Sequence, residues 1–222
     1  MTLEAILFGS IGTLVETSDL QRRAFNRAFA EAGLDWNWNI GTYKRLLAQS
    51  GGRNRIQKYA IQQGIDVDTN MLHQRKTEIF DDFMADGNLP LRLGVNNVMR
   101  FALKTNIKLA FVTSTSQANI DAVLYALSNQ IKRDDFAFIG DSTMVEKPKP
   151  SSEIYTKALL NLGLSQQNCI AVEDTETSMQ AALTASIRCI AFPGAFATTQ
   201  DFNGALLTTS WLSPDHFMSP TH

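Results

Sequence analysis

Residues 5–15 read Ala-Ile-Leu-Phe-Gly-Ser-Ile-Gly-Thr-Leu-Val, AILFGSIGTLV. The apolar run Ala5–Phe8 has the length of a fully buried strand, and Gly9, Ser10 and Gly12 form a small-residue turn directly after it. In an open parallel sheet, ligands bind outside the carboxyl ends of the strands, which is where this turn and Thr13 would stand. Taken alone, the same residues fit a ligand-free β-turn equally well. The rest of the chain supplies matching strand ends. Leu109–Val112, Ala137–Ile139, Cys169–Val172 and Arg188–Phe192 are further short apolar runs separated by helical patterns. That alternation predicts an α/β fold, with a mostly parallel sheet covered by helices on both faces.

From Ser18 the hydrophobic period changes to three or four. Leu20, Ala24, Phe25, Ala28 and Phe29 line one side of a helix closed by Gly33, and a second helix starts near Ile40. A third runs from Arg53 to Gln63 after Ser50-Gly51-Gly52, and a fourth from Thr69 to Met84 packs Leu72, Ile79, Phe80 and Phe83. Four consecutive helices after a single strand predict a helical domain at 18–88, with 1–17 and 89–222 forming the α/β core. Trp36 and Trp38 fit a ligand platform or, better, anchors that fix the loop against these helices.

Composition sets limits. Lys plus Arg is 20 and Asp plus Glu is 22, a net charge of −2, which gives no sign of binding to nucleic acid or an anionic membrane. Arg22-Arg23 and the group Arg53, Arg55, Lys58 still suit a small anion. Cys169 and Cys189 lie in apolar strand contexts and read as buried free thiols. With no 18-residue apolar stretch and no basic segment before an apolar one at the N-terminus, the expectation is a cytoplasmic protein without a membrane span.

Three further strand ends carry chemistry. Thr113-Ser114-Thr115-Ser116 follows Val112 and offers hydroxyls and amides to a phosphate, or plain helix caps. Lys147 stands in Glu146-Lys147-Pro148-Lys149-Pro150, where the prolines stiffen the chain, and Lys149 reads as an ordinary surface lysine. Glu173-Asp174 follows Val172; two carboxylates there suit Mg²⁺ or cap the next helix.

AILFGSIGTLVETS resembles the first motif of haloacid-dehalogenase-like phosphatases, a strand followed by Asp-x-Asp-Gly-Thr. RRAFNRAFAEAGLDWNWNIGTYKRLLAQSGGRNRIQKY resembles the helical cap of their CbbY-type sugar-phosphate phosphatases. The resemblance implies a Rossmannoid three-layer core with an inserted cap. It puts Gly9 where the family has its nucleophilic, metal-binding Asp and Ile11 where it has the acid/base Asp. It places Ser50, Gly51, Gly52, Arg53 and Arg55 on the cap turn that contacts the sugar phosphate, with Asn54 for Glu and Gln21 for a His. Thr113 and Ser114 take the second motif. Lys147 takes the phosphate-binding lysine of Lys-Pro-x-Pro-Asp, with Ser151 for its Asp, and Glu173 and Asp174 take the Mg²⁺ carboxylates. Without a carboxylate nucleophile the implied protein is catalytically silent. Weak Mg²⁺ binding is implied, together with a retained site for a sugar phosphate, phosphate or a protein partner. The alternative is an active magnesium-dependent phosphatase with an altered nucleophile or an activated water. Restoring Asp at positions 9 and 11 is expected to give turnover if the other groups keep their geometry.

Overall fold

β1 (Ala5–Phe8) has no solvent-exposed surface at any of its four residues, because it pairs with a strand on each side. The computed structural model describes residues 2–47, 51–85 and 89–218. Its sheet also contains β2 (Lys108–Val112), β3 (Phe138–Gly140), β4 (Cys169–Glu173), β5 (Arg188–Ala191) and β6 (Leu207–Thr208). The order is β3-β2-β1-β4-β5-β6 and every pairing is parallel. Phe8 stands opposite Phe111 of β2 and Val172 of β4, so these three strands end at one level.

The alternation of side chains along each strand divides the core. Ala5, Leu7, Ala110, Val112, Ala171 and Cys189 pack with Ile154, Tyr155 and Ala158 of α8 (Glu153–Leu162) and with Met179 and Ala182 of α9 (Glu176–Thr184). Small residues on the strands let the helices approach closely. α6 (Val95–Lys104) lies against β2, and α7 (Gln117–Ala126) starts from Ser116, whose hydroxyl accepts from the Asn119 amide. Full burial of a side chain such as Leu7 or Phe111 contributes roughly 1.5–3 kcal/mol. The α/β reading of the sequence therefore holds, with mostly parallel strands and flanking helices.

Two elements were not expected from the sequence. Ile11–Leu14 forms a single helical turn, α1, immediately after the first strand, and β6 extends the sheet by two residues beside Ile190 and Ala191. Leu207 and Thr208 are exposed, so no buried apolar run marks them. Both cysteines are buried free thiols. Among the described residues no helix is long and apolar enough to cross a membrane.

The chain forms two compact units, residues 1–16 with 88–222, and residues 17–87. The second contains α2 (Ser18–Glu31), α3 (Ile40–Leu47), α4 (Gly52–Gln63) and α5 (Thr69–Ala85). Ala24, Phe25, Ala28 and Phe29 of α2 and Leu72, Ile79 and Phe80 of α5 are buried. Trp38 is fully buried, 4.8 Å from the ring centroids of both Phe25 and Phe29, and Trp36 meets Phe29 and Tyr59 edge-on. The tryptophans are interior anchors of this unit. Asn26 fixes their loop by donating to the Trp38 carbonyl and accepting from its N–H.

Candidate functional site

The carboxyl ends of β1, β2 and β4 bring Gly9, Thr113 and Glu173 to one edge of the sheet, and the Gly9 amide donates to the Val172 carbonyl at 2.9 Å. Glu173 ends β4 and is fully buried. Its Oε1 accepts from Lys149 Nζ at 2.6 Å and from the Tyr155 hydroxyl at 2.6 Å. Lys149 also donates to the Gly9 carbonyl, and its ammonium lies 4.9 Å from the centroid of the Tyr155 ring. Burial pushes the Glu173 carboxyl up, and the adjacent Lys149 charge pulls it back. Tyr155 is raised well above the ordinary phenol by burial and by Glu173.

This cluster exists because residue 9 has no side chain. A Cβ there would lie 2.0 Å from Glu173 Oε1 and 2.4 Å from the Tyr155 oxygen. The Glu173 carboxylate thus fills the space into which a side chain at position 9 would project. Gly12 is constrained in the same way, since a Cβ would lie 1.8 Å from Asp174 Oδ2. Ser10 Oγ donates to Asp174 Oδ1 at 2.7 Å, and burial raises the Asp174 carboxyl. Arg92 closes the far side: Nη1 donates to the Gly12 and Phe192 carbonyls at 2.7 and 2.8 Å, and Nη2 to the Pro193 carbonyl at 2.6 Å. Ile11 offers neither a donor nor an acceptor on its side chain.

Thr113 is buried, and its Oγ1 accepts from the Thr115 amide at 3.2 Å. Ser114 is half-buried, and its hydroxyl has no hydrogen bond among the described residues. Lys147 is a correction. It is exposed and meets the fold only through its amide, which donates to Glu153. The lysine that reaches the strand ends is Lys149, two residues on. From Lys149 the chain reads Lys149-Pro150-Ser151-Ser152-Glu153, which keeps a Lys-Pro pair and an acid in the fifth position. The tandem Lys-Pro pairs concealed this register, and Glu153, rather than Ser151, was the signal that could have revealed it. Tyr155 and Arg92 were also missed, because neither lies in a strand-end loop.

The donor set does not fit a Mg²⁺ ion. Glu173 is held by an ammonium and a phenol, Asp174 by a hydroxyl, and position 9 supplies no third carboxylate. Among the described residues no group of three or more His, Cys, Asp or Glu is arranged to hold a metal. An ion at Glu173 would have to displace the Lys149 ammonium.

In the helical unit, Ser50 lies outside the described residues. Gly51 takes φ +85°, a conformation that favours glycine, and a Cβ on Gly52 would lie 2.7 Å from His73 Nε2. Arg53 is exposed. Arg55 folds back onto its own unit, donating to the Gly51 carbonyl and the Tyr43 hydroxyl, with its guanidinium near the Phe25 and Tyr43 rings. Lys76, 6% exposed, donates to Gln21 Oε1. The Lys76 amine is pushed down to about 7 by burial and by the Arg55 charge, against the pull of Asp81. Burial, with the charges of Lys76, Arg53 and Arg55, also lowers His73.

Comparison with known proteins shows the family. A family model described as haloacid dehalogenase-like hydrolase matches residues 6–192. Protein CbbY of Cereibacter sphaeroides is 38% identical over 206 residues, 91% of this chain and 90% of that protein. The crystal structure of CbbY from Rhodobacter sphaeroides in complex with phosphate is 37% identical with a TM-score of 0.84, covering 95% of each chain. A mutant of that protein in complex with xylulose-(1,5)bisphosphate has the same identity, score and coverage. The chain belongs to the haloacid dehalogenase-like hydrolases and, within them, to the CbbY type.

Proposed function

We propose that this protein is a catalytically silent CbbY-type homologue that retains a site for phosphate esters, with the helical unit serving as its cap. The observation that carries the reading is the Glu173 carboxylate lying in the space a side chain at position 9 would take, fixed by Lys149 and Tyr155. Gly9 and Ile11 stand at the family's nucleophile and acid/base positions, and neither supplies the group that an aspartyl-phosphate mechanism needs. Thr113, Ser114 and Lys149 are the groups proposed to meet a phosphoryl oxygen, Lys149 replacing Lys147 in that role. A dianion competes with Glu173 for the Lys149 ammonium, so binding is accompanied by a loosening of that pair. Gly51, Gly52, Arg53 and Arg55 are proposed to meet the rest of a sugar phosphate, and Mg²⁺ binds weakly at best.

The test combines turnover with binding. Xylulose and ribulose bisphosphates, hexose phosphates and an aryl phosphate are assayed with Mg²⁺, and the same compounds are scored for thermal protection. No turnover, with protection by a sugar phosphate that Lys149→Ala removes, supports the proposal. Turnover abolished by Glu173→Gln overturns the silent reading and makes Glu173 an alternative nucleophile. Absence of both turnover and protection favours a role in binding a protein partner.

A further inference from the structure

We propose that the cavity between α3 and α4 binds a small organic dianion, a dicarboxylate whose two charges flank an apolar body. Charge is unevenly spread along the chain. Residues 36–65 contain Lys44, Arg45, Arg53, Arg55 and Lys58 and no Asp or Glu, in a chain whose net charge is −2. Positive potential is therefore concentrated on these two helices, where it raises the local concentration of anions. Arg55 turns inward to Tyr43 and Phe25, and Arg53 stands with it in the first turn of α4. Arg45 and Lys58 lie elsewhere, on the walls of the cavity, and no residue of the 51–55 turn lines it.

The cavity has a volume of about 260 Å³, room for a small ligand rather than for a segment of another chain. α3 supplies Thr42, Arg45 and Leu46, and α4 supplies Lys58, Tyr59 and Gln62. Each wall thus offers one cation and one apolar or aromatic surface, and no carboxylate lines either. Neither Arg45 nor Lys58 forms an ion pair among the described residues. Arg45 Nη2 donates at 3.1 Å to Thr42 Oγ1, a neutral acceptor that steadies the guanidinium without cancelling its charge. The Tyr59 ring meets Trp36 and Trp38 edge-on, with centroids 5.2 and 5.4 Å apart, so its wall is anchored in the buried aromatic cluster. The Tyr59 hydroxyl and the Gln62 amide carry no hydrogen bond among the described residues and add neutral donors.

Two cations on separate helices suit two separated negative groups. The guanidinium takes one carboxylate through two parallel N–H donors, and the Lys58 ammonium takes the other as a point charge. Leu46 and the Tyr59 ring cover the carbon skeleton between them. A monoanion leaves one cation unmatched.

Isophthalate, an aromatic dicarboxylate, is a suitable probe. It is titrated into the isotope-labelled full chain, and backbone amide shifts are followed by NMR at constant ionic strength. Saturable shifts centred on residues 42–46 and 58–62 are expected. Benzoate, with one carboxylate, should bind at least ~10-fold more weakly, and Arg45→Gln and Lys58→Gln should each weaken isophthalate by a similar factor. Both variants change exposed side chains, and an otherwise unchanged spectrum shows that the fold is intact. Shifts centred on the 51–55 turn or on the strand ends of the sheet unit overturn the proposal, as does the absence of saturable shifts. So do unchanged affinity in both variants and equal binding of benzoate. Inorganic phosphate that saturates the same amides more tightly than isophthalate overturns the ligand class. The readout is binding at named amides, so the result is independent of phosphatase turnover and of any phosphate site at the sheet.

Discussion

Lys149 and Lys76 are both buried lysine side chains, one in each unit, and their surroundings are opposite. Lys149 has a carboxylate at 2.6 Å, a carbonyl and an aromatic face. Lys76 has one amide oxygen and two rings, with the Arg55 charge acting against its ammonium and Asp81 acting for it. The first is a compensated charge that fixes the end of a strand. The second has no ion pair at contact distance among the described residues, and burial lowers its amine to about 7. Depth of burial therefore says little about what a lysine does; the sign and distance of its neighbours decide.

Removing the compensation should give the largest effect. Lys149→Met leaves Glu173 buried without its cation and is expected to destabilise the protein by about 3–5 kcal/mol in urea unfolding. Lys149→Met with Glu173→Leu should recover most of that loss. Equal instability of the single and double variants would mean that packing, rather than charge pairing, holds the cluster together.

Lys76 should behave oppositely and show itself in pH dependence. Its folded value, about 7, lies below the unfolded 10.5, so the folded state binds fewer protons between them. Stability from this group therefore rises with pH through that window, at up to roughly 1.4 kcal/mol per pH unit, and the penalty is fully present below pH 7. Lys76→Met should remove this slope relative to the natural sequence. Identical slopes in the two proteins would break the comparison.

Gly9→Asp sharpens the Lys149 side. Its Cβ would enter the space held by Glu173 and Tyr155, at an expected cost of about 1–3 kcal/mol as an overpacked core site. The pair Gly9→Asp with Ile11→Asp is expected to show no phosphatase turnover, contrary to the rescue suggested by the sequence, because Glu173 occupies the gap. Measurable turnover would mean that the Glu173 side chain moves easily to another position.

The smallest effect belongs to Lys147. Lys147→Ala should change unfolding free energy by no more than about 0.5 kcal/mol and leave any phosphate protection intact. Loss of that protection would return the phosphate-binding role from Lys149 to Lys147.

These contrasts separate what was legible in the sequence from what was not. Ala5–Phe8, Leu109–Val112 and Cys169–Val172 could be read as strands because burial on both faces demands uninterrupted apolar runs. The strand-end residues Thr113, Glu173 and Asp174 were legible because topology fixes where a parallel strand stops. Lys149 was not, since two Lys-Pro pairs differ by only two residues and which one turns inward depends on three-dimensional neighbours. Nor was the position of the Glu173 carboxylate, which depends on a Cβ that is absent 164 residues earlier in the chain. β6 escaped because two exposed residues carry no hydrophobic pattern.

The Arg92 guanidinium, bonded to the carbonyls of Gly12, Phe192 and Pro193, has a consequence for how the fold opens. Glu16 adds a second stitch between the same two segments by accepting from the Ala195 amide at 2.6 Å. Chain segments far apart in sequence then open as one cooperative unit, because neither can leave while the shared side chains hold both. Amide hydrogens after β1 and after β5 are accordingly expected to exchange with solvent at matched rates in a hydrogen-exchange experiment, as a single foldon.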